Sequence, residues 1–211
     1  MESRAIIFFS IGNPGPITRH SVSHLILKHI LSFPTSSSSH APGLTKRGPY
    51  SVSTSRNVTY VKSNTYMNES GTAWAKFKAD HRRLVNSGPV VCVLYDDFEK
   101  DVGSVRVGRF RKNESHNGLK SIRSVVSRED NVEVYLLGIG IGPKPVGADR
   151  ETMAGWVLGA FGREEKVVLE NETVGLLELY VDEIIERDGD LGDVNKFNAR
   201  MTKLWKRRLE G

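Results

Sequence analysis

The chain has 211 residues, 38% of them hydrophobic and 26% charged, and a formal net charge of +5 at pH 7. This size and composition predict one folded domain with a core of its own. Cys92 is the single cysteine, which excludes an intramolecular disulfide and a cysteine-rich zinc site, and the apolar runs are far shorter than the ~20 residues of a transmembrane helix. A first strand that begins at Ala5 leaves no room for a secretory signal peptide, so we expect a cytoplasmic protein, with a mitochondrial location left open.

Hydrophobic periodicity predicts strands that alternate with helices. The predicted strands span residues 5–11, 50–56, 58–63, 89–95, 103–110 and 132–141. The predicted helices span residues 19–32, 68–84, 164–186 and 195–209, and a further helix follows His116. A stretch rich in proline and serine predicts a flexible loop over 34–49. The alternation indicates one α/β domain over 1–211, in which helices cover both faces of a sheet.

Polar residues follow three of the predicted strand ends. In α/β sheets, ligands bind at the carboxyl ends of the strands, so these residues are the first candidates for a functional site. The three clusters are Asn13 with His20, Asp96 with Asp97, and His116 with Asn117.

His20 and an aspartate of the Asp96-Asp97 pair form the candidate catalytic pair. A buried aspartate accepts the Nδ1 proton of a histidine, fixes its tautomer and stabilises the imidazolium that forms when the other nitrogen takes a proton. The motif of a serine-hydrolase elbow is missing, so water is the expected attacking group. The alternative for Asp96 and Asp97 is a divalent cation site, but adjacent strand residues point to opposite faces and no further acidic cluster completes such a site. We therefore expect no metal and no cofactor.

Asn13, Asn68 and Asn117 lie in the turn or helix-start contexts IGNPG, TYMNESG and SHNGL. Asparagine is an ordinary turn former, and this structural interpretation suits each of the three taken alone. Three such turns that open toward one His/Asp pair favour a binding role, because an amide can hold a substrate carbonyl and stabilise a developing oxyanion.

Basic residues crowd the C-terminal end of the chain. If residues 195–209 are helical, four of them form one stripe at i, i+4, i+7 and i+11. The stripe consists of Lys196, Arg200, Lys203 and Arg207. Two interpretations stay open at this stage: a docked helix with a solvated basic face, or a helix that faces the phosphates of a nucleic acid.

Six sequence segments occur in one order: IGNPG with TRH, KSNTYMNESG, LYDDFEKDVGSVRV, SHNGLKSI, LGIGIGPKP and GWVLGAF. Together they resemble the bacterial-type peptidyl-tRNA hydrolase family, over residues 5 to 190. The resemblance implies a monomeric α/β domain with a mixed central sheet. It also implies hydrolysis of the ester between a peptide and the terminal ribose of tRNA, which recycles tRNA. By this match His20 is the general base that activates water, and Asp96 orients it.

The resemblance also assigns the binding residues for the implied partner, peptidyl-tRNA. Asn13 is expected to bind the peptide end, and Tyr66 stands where the family has an aromatic contact. Asn68 and Asn117 are expected to hold the scissile region and the water.

The sequence departs from the family pattern at the residues that grip the tRNA. Gly138 and Gly108 stand where the family has basic residues for the 5′-phosphate. Arg109, Arg111 and Lys112 are candidates to replace them as phosphate contacts.

A second function from another class is a non-catalytic RNA-binding member of the same family that acts in RNA splicing. Two departures favour it: the altered phosphate grip, and a loop between Asn13 and His20 that is shorter than usual. The retained His20, Asp96 and three asparagines favour the hydrolase.

Overall fold

A computed structural model describes residues 3–32, 42–126 and 130–210. Within them, seven strands form one sheet in the order β2-β3-β4-β1-β5-β7-β6. The strands are β1 Ile6–Ser10, β2 Thr45–Arg47, β3 Tyr50–Ser55, β4 Val58–Ser63, β5 Val90–Asp97, β6 Val105–Gly108 and β7 Glu133–Gly140.

The sheet is mixed, as the resemblance implies. Its four central strands, β4, β1, β5 and β7, are parallel to one another. The hairpin of β2 and β3 adds antiparallel strands at one edge, and β6 adds one at the other. The carboxyl ends of the central strands therefore lie at the same edge of the sheet. Asp96 lies at the end of β5, and His20 follows the end of β1.

Eight α-helices occur among the described residues. They are α1 Val22–Ser32, α2 Ser70–Asp80, α3 Arg82–Asn86, α4 Asn117–Val125, α5 Arg150–Leu158, α6 Arg163–Val168, α7 Val174–Glu186 and α8 Val194–Glu210. Short 3-10 turns precede α1 and α2, at Arg19–Ser21 and Met67–Glu69. Within the part of the chain that the structure covers, no helix is long and apolar enough to span a membrane.

Each face of the sheet carries its own hydrophobic core, because successive strand residues point to opposite sides. Ile6 and Phe8 of β1 pack with residues of α1, α7 and α8. Ile7 and Phe9 pack on the other face with α2 and α4, where Trp74 meets the ring of Phe9 edge-on at 5.4 Å. The prediction of an α/β sheet covered by helices on both faces is confirmed.

The predicted loop over 34–49 is wrong at its C-terminal end. Thr45–Arg47 form strand β2, which pairs antiparallel with β3. All three residues are exposed, so they carry none of the alternating hydrophobicity that predicts a strand. Residues 33–41, which contain most of the serine-rich stretch, lie outside the described residues.

Two helices predicted as continuous are divided. The segment predicted over 68–84 becomes a 3-10 turn, α2 and α3, with a break at His81. The segment predicted over 164–186 becomes α6, a π-helical turn at Leu169–Thr173, and α7. Hydrophobic periodicity continues through these breaks, which explains why the sequence did not predict them.

Candidate active site

The segment between β1 and α1 places His20 at the edge of the sheet. The Thr18 N–H donates to Ser21 Oγ at 2.7 Å, and this bond closes the 3-10 turn that contains His20. The backbone N–H of Asn13 donates to the carbonyl of His20 at 3.2 Å. The Gly/Pro turn therefore keeps Asn13 and His20 close together across six intervening residues.

Arg19 anchors the His20 turn to the segment around the start of α6. Its guanidinium donates to both carboxylate oxygens of Glu165, at 2.7 and 2.8 Å, and lies over the rings of Trp156 and Phe161. Both contacts with Glu165 come from Nη2, while Nη1 donates to the carbonyl of Ala160 at 2.8 Å, so the guanidinium is held by two different partners. Sequence reasoning missed this anchor, because nothing in the local sequence around Arg19 points to a partner 146 residues away.

Asp96 lies between two histidines at the carboxyl end of β5. Its Oδ2 is 2.7 Å from His20 Nδ1, and its Oδ1 is 2.9 Å from His116 Nε2. Asp96 and His116 are almost fully buried, whereas 20% of the His20 side chain is exposed. The only ring of this triad that substrate can reach is therefore that of His20.

The hydrogen-bond partners determine the tautomers of both rings. His116 is the N-cap of α4, and its Nδ1 accepts from the Leu119 N–H at 3.3 Å. Its proton is therefore on Nε2, which donates to Asp96. The Nδ1–H of His20 donates to the other carboxylate oxygen, which leaves the Nε2 lone pair of His20 able to accept a proton.

Asp96 remains ionised despite its burial. Burial alone raises the pKa of this carboxyl group, but the electrostatic attraction of the His116 ring and the hydrogen bonds donated by His116 and His20 outweigh burial and lower the pKa to about 2. The carboxylate therefore stays negative across the neutral range and stabilises positive charge on His20.

The same three residues are the candidate metal ligands among the described residues. One ligand atom from each of His20, Asp96 and His116 lies within 4.8 Å of the others. In the present geometry, the two ring nitrogens that face Asp96, His20 Nδ1 and His116 Nε2, each carry a proton and donate it to the carboxylate. An ion would have to displace both hydrogen bonds, so the arrangement suits proton transfer better than metal binding.

The predicted asparagines lie on the elements around this triad. Asn13 Oδ1 accepts from the backbone N–H of Met67 at 2.9 Å, which joins the β1 turn to the start of α2. Asn68, in the 3-10 turn before α2, and Asn117, at the start of α4, are both exposed. Tyr66, which precedes the α2 turn, is 64% exposed.

Gly118 allows these segments to meet. A Cβ at this position would overlap Met67 Sδ and would lie 2.8 Å from Ile11 Cδ1 and 3.1 Å from His116 Cε1. Glycine lets α4 start close to the end of β1 and to the 3-10 turn before α2, because a side chain here would displace the buried side chains of Met67 and Ile11. The segments that carry Asn13, Asn68 and Asn117 thus converge on the histidine-aspartate triad.

Comparison with known proteins adds an independent observation. The family model described as "Peptidyl-tRNA hydrolase" matches residues 7–204. The chain belongs to this family. A peptidyl-tRNA hydrolase from Kosmotoga olearia is 34% identical over 78% of this chain and 83% of its own length. Another, from Rubrobacter xylanophilus, is 31% identical over 90% of this chain and 98% of its own.

A solved structure supports the same fold. The peptidyl-tRNA hydrolase from Acinetobacter baumannii has a TM-score of 0.66 and 22% sequence identity, over 94% of this chain and 96% of that one. The α/β architecture described above is therefore that of a known member of the family.

The three candidate phosphate contacts of this family member differ in their surroundings. Arg109 lies 3.5 Å over the ring of Tyr135 and donates to Glu133 at 2.6 Å, so its charge is already compensated. Arg111 and Lys112 are exposed in the loop before His116. As candidates for phosphate contacts, Arg111 and Lys112 are therefore favoured over Arg109.

The basic helix predicted over 195–209 forms as α8. Asn198 docks it on the edge strand, because its side chain accepts from the Val107 N–H at 2.9 Å and donates to the Val107 carbonyl at 2.8 Å. Arg200 pairs with Glu183, while Lys196, Lys203 and Arg207 are exposed. The docked helix is confirmed, and a contact of its basic face with phosphates stays a prediction.

Buried polar side chains lie beneath the Asn13 turn. His24 Nδ1 is 2.8 Å from Ser10 Oγ, and His24 Nε2 is 3.0 Å from the carbonyl oxygen of Gly12. Ser23 Oγ donates to the carbonyl of Ile11. Burial and the nearby charge of Lys62 lower the pKa of His24 to about 3. The ring is therefore neutral in the folded protein at physiological pH.

This buried histidine predicts a loss of stability in mild acid. Its pKa is about 3 when folded and has the ordinary value of 6.5 when unfolded, so its contribution is complete above pH 6.5 and decreases as the pH falls toward 3. We expect the free energy of unfolding to fall by about 2 kcal/mol between about pH 7.5 and about pH 5, because the slope approaches ~1.4 kcal/mol per pH unit below the unfolded-state pKa of 6.5. Urea unfolding at both pH values measures the change.

The matched controls are two phenylalanine variants of α1. His29→Phe should retain the decrease, because this substitution leaves His24 in place. His24→Phe should lose it, whatever its stability at neutral pH. Equal decreases in wild type and His24→Phe would contradict the assignment.

Proposed function

We propose that this protein hydrolyses the ester that joins a peptide to the terminal ribose of tRNA and thereby recycles tRNA. Membership of the peptidyl-tRNA hydrolase family supports this substrate. The observation that carries the mechanism is the buried carboxylate of Asp96, bound to Nδ1 of His20 at 2.7 Å, because it leaves the other ring nitrogen as a base.

In the proposed reaction, His20 Nε2 removes a proton from water as the water oxygen attacks the ester carbonyl. Asp96 stabilises the imidazolium that results. Collapse of the tetrahedral intermediate breaks the bond between the acyl carbon and the ribose oxygen. His20 then returns its proton to that oxygen, which releases a free carboxylic acid and tRNA with an intact terminal hydroxyl group.

The asparagines and Tyr66 bind the substrate in this proposal. The amides of Asn68 and Asn117 hold the water and the developing oxyanion, a role that suits neutral donors because they do not protonate the base. Asn13 binds the peptide end through its amide nitrogen, since its oxygen accepts from Met67 N. Tyr66 provides an exposed ring for stacking.

The splicing alternative gains no support from the relatives described above, which are named peptidyl-tRNA hydrolases. The proposal also includes two further points: the protein is a monomer of one domain over 1–211, and it is located in the cytoplasm. Sedimentation of the purified protein tests the first point, and cell fractionation tests the second, with mitochondria as the other outcome.

Release of the acyl group from N-acetyl-aminoacyl-tRNA tests the function. We expect turnover of this substrate and little release from free aminoacyl-tRNA, with no effect of a chelator. If the folded protein binds tRNA but does not hydrolyse this substrate, the proposed hydrolase activity is wrong and an RNA-binding role is favoured. Equal turnover of both substrates would indicate that the short loop between Asn13 and His20 has relaxed specificity.

The phosphate contacts predict a salt-dependent affinity. Replacing Arg111 and Lys112 by serine should raise KM severalfold, because each substitution removes a contact with a phosphate. Each lost contact should also reduce the magnitude of the slope of log affinity against log salt by about one. The control is Arg82→Ser with Arg83→Ser, which removes two exposed charges from α3, before the amino end of β5. Titration of fluorescent tRNA at several salt concentrations measures the slopes. Identical slopes in the two double variants would contradict the prediction.

A further inference from the structure

The polar cluster beneath the Asn13 turn has no part in the reaction proposed above. Ser10 and His24 are 0% and 6% exposed, so substrate reaches neither side chain. The two side chains nevertheless connect the end of β1 to the first turn of α1, the two elements between which the Asn13 turn lies.

The hydrogen bonds of His24 have a fixed direction. The Gly12 carbonyl oxygen can only accept, so His24 Nε2 carries the proton and donates to it. His24 Nδ1 then has a lone pair, and the hydroxyl of Ser10 donates to it. The Gly12 carbonyl thus selects the tautomer, and the Ser10 hydroxyl, which can donate or accept, fixes the orientation of the ring by donating to Nδ1.

Gly12 fits closely between the two histidine segments. A Cβ on Gly12 would lie 2.8 Å from the carbonyl oxygen of His20 and 3.0 Å from the ring of His24. The next residue, Asn13, donates its backbone N–H to the same His20 carbonyl. The peptide unit between Gly12 and Asn13 is therefore held from one side by His24 and from the other by the catalytic turn.

We propose that His24 is a positioning residue for substrate selection: its ring, oriented by Ser10, holds the Gly12 carbonyl and so fixes the direction in which the Asn13 amide meets the acyl group. This inference rests on the proposed function for its consequence in catalysis. The alternative is a histidine that only fills the core. A residue that positions Asn13 changes substrate discrimination, whereas a core residue changes stability alone.

His24→Phe tests the proposal, because the ring keeps its approximate size and loses both hydrogen bonds. We expect kcat/KM for N-acetyl-aminoacyl-tRNA to fall about tenfold, since small displacements of a binding group have effects of this order. The preference for the N-acetylated substrate over free aminoacyl-tRNA should fall with it. Affinity for uncharged tRNA should stay unchanged, because Asn13 contacts only the acyl group.

Three further variants separate positioning from folding. His24→Gln retains a donor for the Gly12 carbonyl and should recover most of the discrimination. His24→Phe alone leaves the buried Ser10 hydroxyl without its histidine partner, and adding Ser10→Ala removes that hydroxyl. The double variant should therefore unfold at a higher temperature than His24→Phe, but it should not recover discrimination. His29→Phe, on the same helix, should retain wild-type discrimination.

A spectroscopic measurement decides the point without turnover. In protein with ¹⁵N-labelled asparagine, the side-chain amide of Asn13, assigned with Asn13→Ala, should give one sharp pair of N–H signals in wild type. The signals should broaden or divide in His24→Phe and sharpen again in His24→Gln. A sharp, unshifted Asn13 signal together with unchanged discrimination in folded His24→Phe would overturn the inference. If wild type hydrolyses neither substrate, the proposed function fails, and the Asn13 signal still tests the positioning.

Discussion

His20→Ala is expected to reduce hydrolysis of N-acetyl-aminoacyl-tRNA about 10³-fold, within the 10²–10⁴ range that a positioned general base contributes. The loss should appear in kcat. His20 is held for proton transfer rather than for tRNA binding, so KM should change little. Quenched time points with radiolabelled substrate measure both constants.

The structure limits the indirect effects of this substitution. His20 is partly exposed, and Asp96 keeps its hydrogen bond from His116 when the His20 ring is removed. Loss of one donor to a buried carboxylate costs about 1–3 kcal/mol, so thermal unfolding of the variant must be recorded and the assay run well below its midpoint. His29→Ala is the control on the same segment. A folded His20→Ala protein within tenfold of wild-type kcat would contradict a general-base role.

Asp96→Asn is expected to reduce kcat by a similar factor for a different reason. The carboxylate accepts from His20 Nδ1 and from His116 Nε2, whereas an amide offers one accepting oxygen and one donating nitrogen. His116 cannot change its tautomer without losing the bond from the Leu119 N–H. The amide nitrogen therefore faces His20, whose proton moves to Nε2, and the ring can no longer act as a base there. The corresponding exchange in the Ser-His-Asp triad costs ~10⁴ in kcat.

The neighbouring residue provides a matched control for this exchange. Asp97 Oδ1 accepts from the Glu99 N–H at 3.0 Å, and asparagine keeps that oxygen. Asp97→Asn should therefore retain nearly wild-type kcat. Equal losses in the two variants would indicate a general effect on the β5 terminus, and wild-type activity in Asp96→Asn would contradict the proposed orientation of His20.

Most of the fold could be predicted because its strands are short, strongly apolar runs. The segments β1, β5 and β7 are buried on both faces and show as continuous hydrophobic stretches between turn residues. The exposed strand β2 could not be predicted, because its stability comes from pairing with β3 and not from burial of its own side chains. Local sequence does not contain that information.

The candidate site was predictable in its residue types and less so in its contacts. His20 could be paired with the aspartates at the end of β5, because the carboxyl ends of parallel strands share one edge. The choice of Asp96 over Asp97 required the family resemblance. The sequence shows His116 as the residue before an Asn-Gly helix start. Its second role, as a donor to Asp96, depends on the direction of its ring, which the close packing of Gly118 helps to determine.

The contacts that hold His20 from outside the motif could not be predicted at all. Arg19 binds Glu165, which lies 146 residues away in the sequence, and the buried ring of His24 binds the carbonyl of Gly12. A histidine inside a helix is usually a structural residue, and only the coordinates show which carbonyl it holds.

Chemical rescue of His20→Gly by imidazole tests the central claim most directly, namely that an imidazole at position 20 takes the proton from water. The exposed edge of the His20 ring means that its removal opens a gap to solvent beside Asp96. We predict that hydrolysis by His20→Gly is nearly abolished and rises with the concentration of neutral imidazole, while Asp96→Asn does not respond. Hydrolysis by folded His20→Gly at close to the wild-type rate without imidazole would contradict the claim.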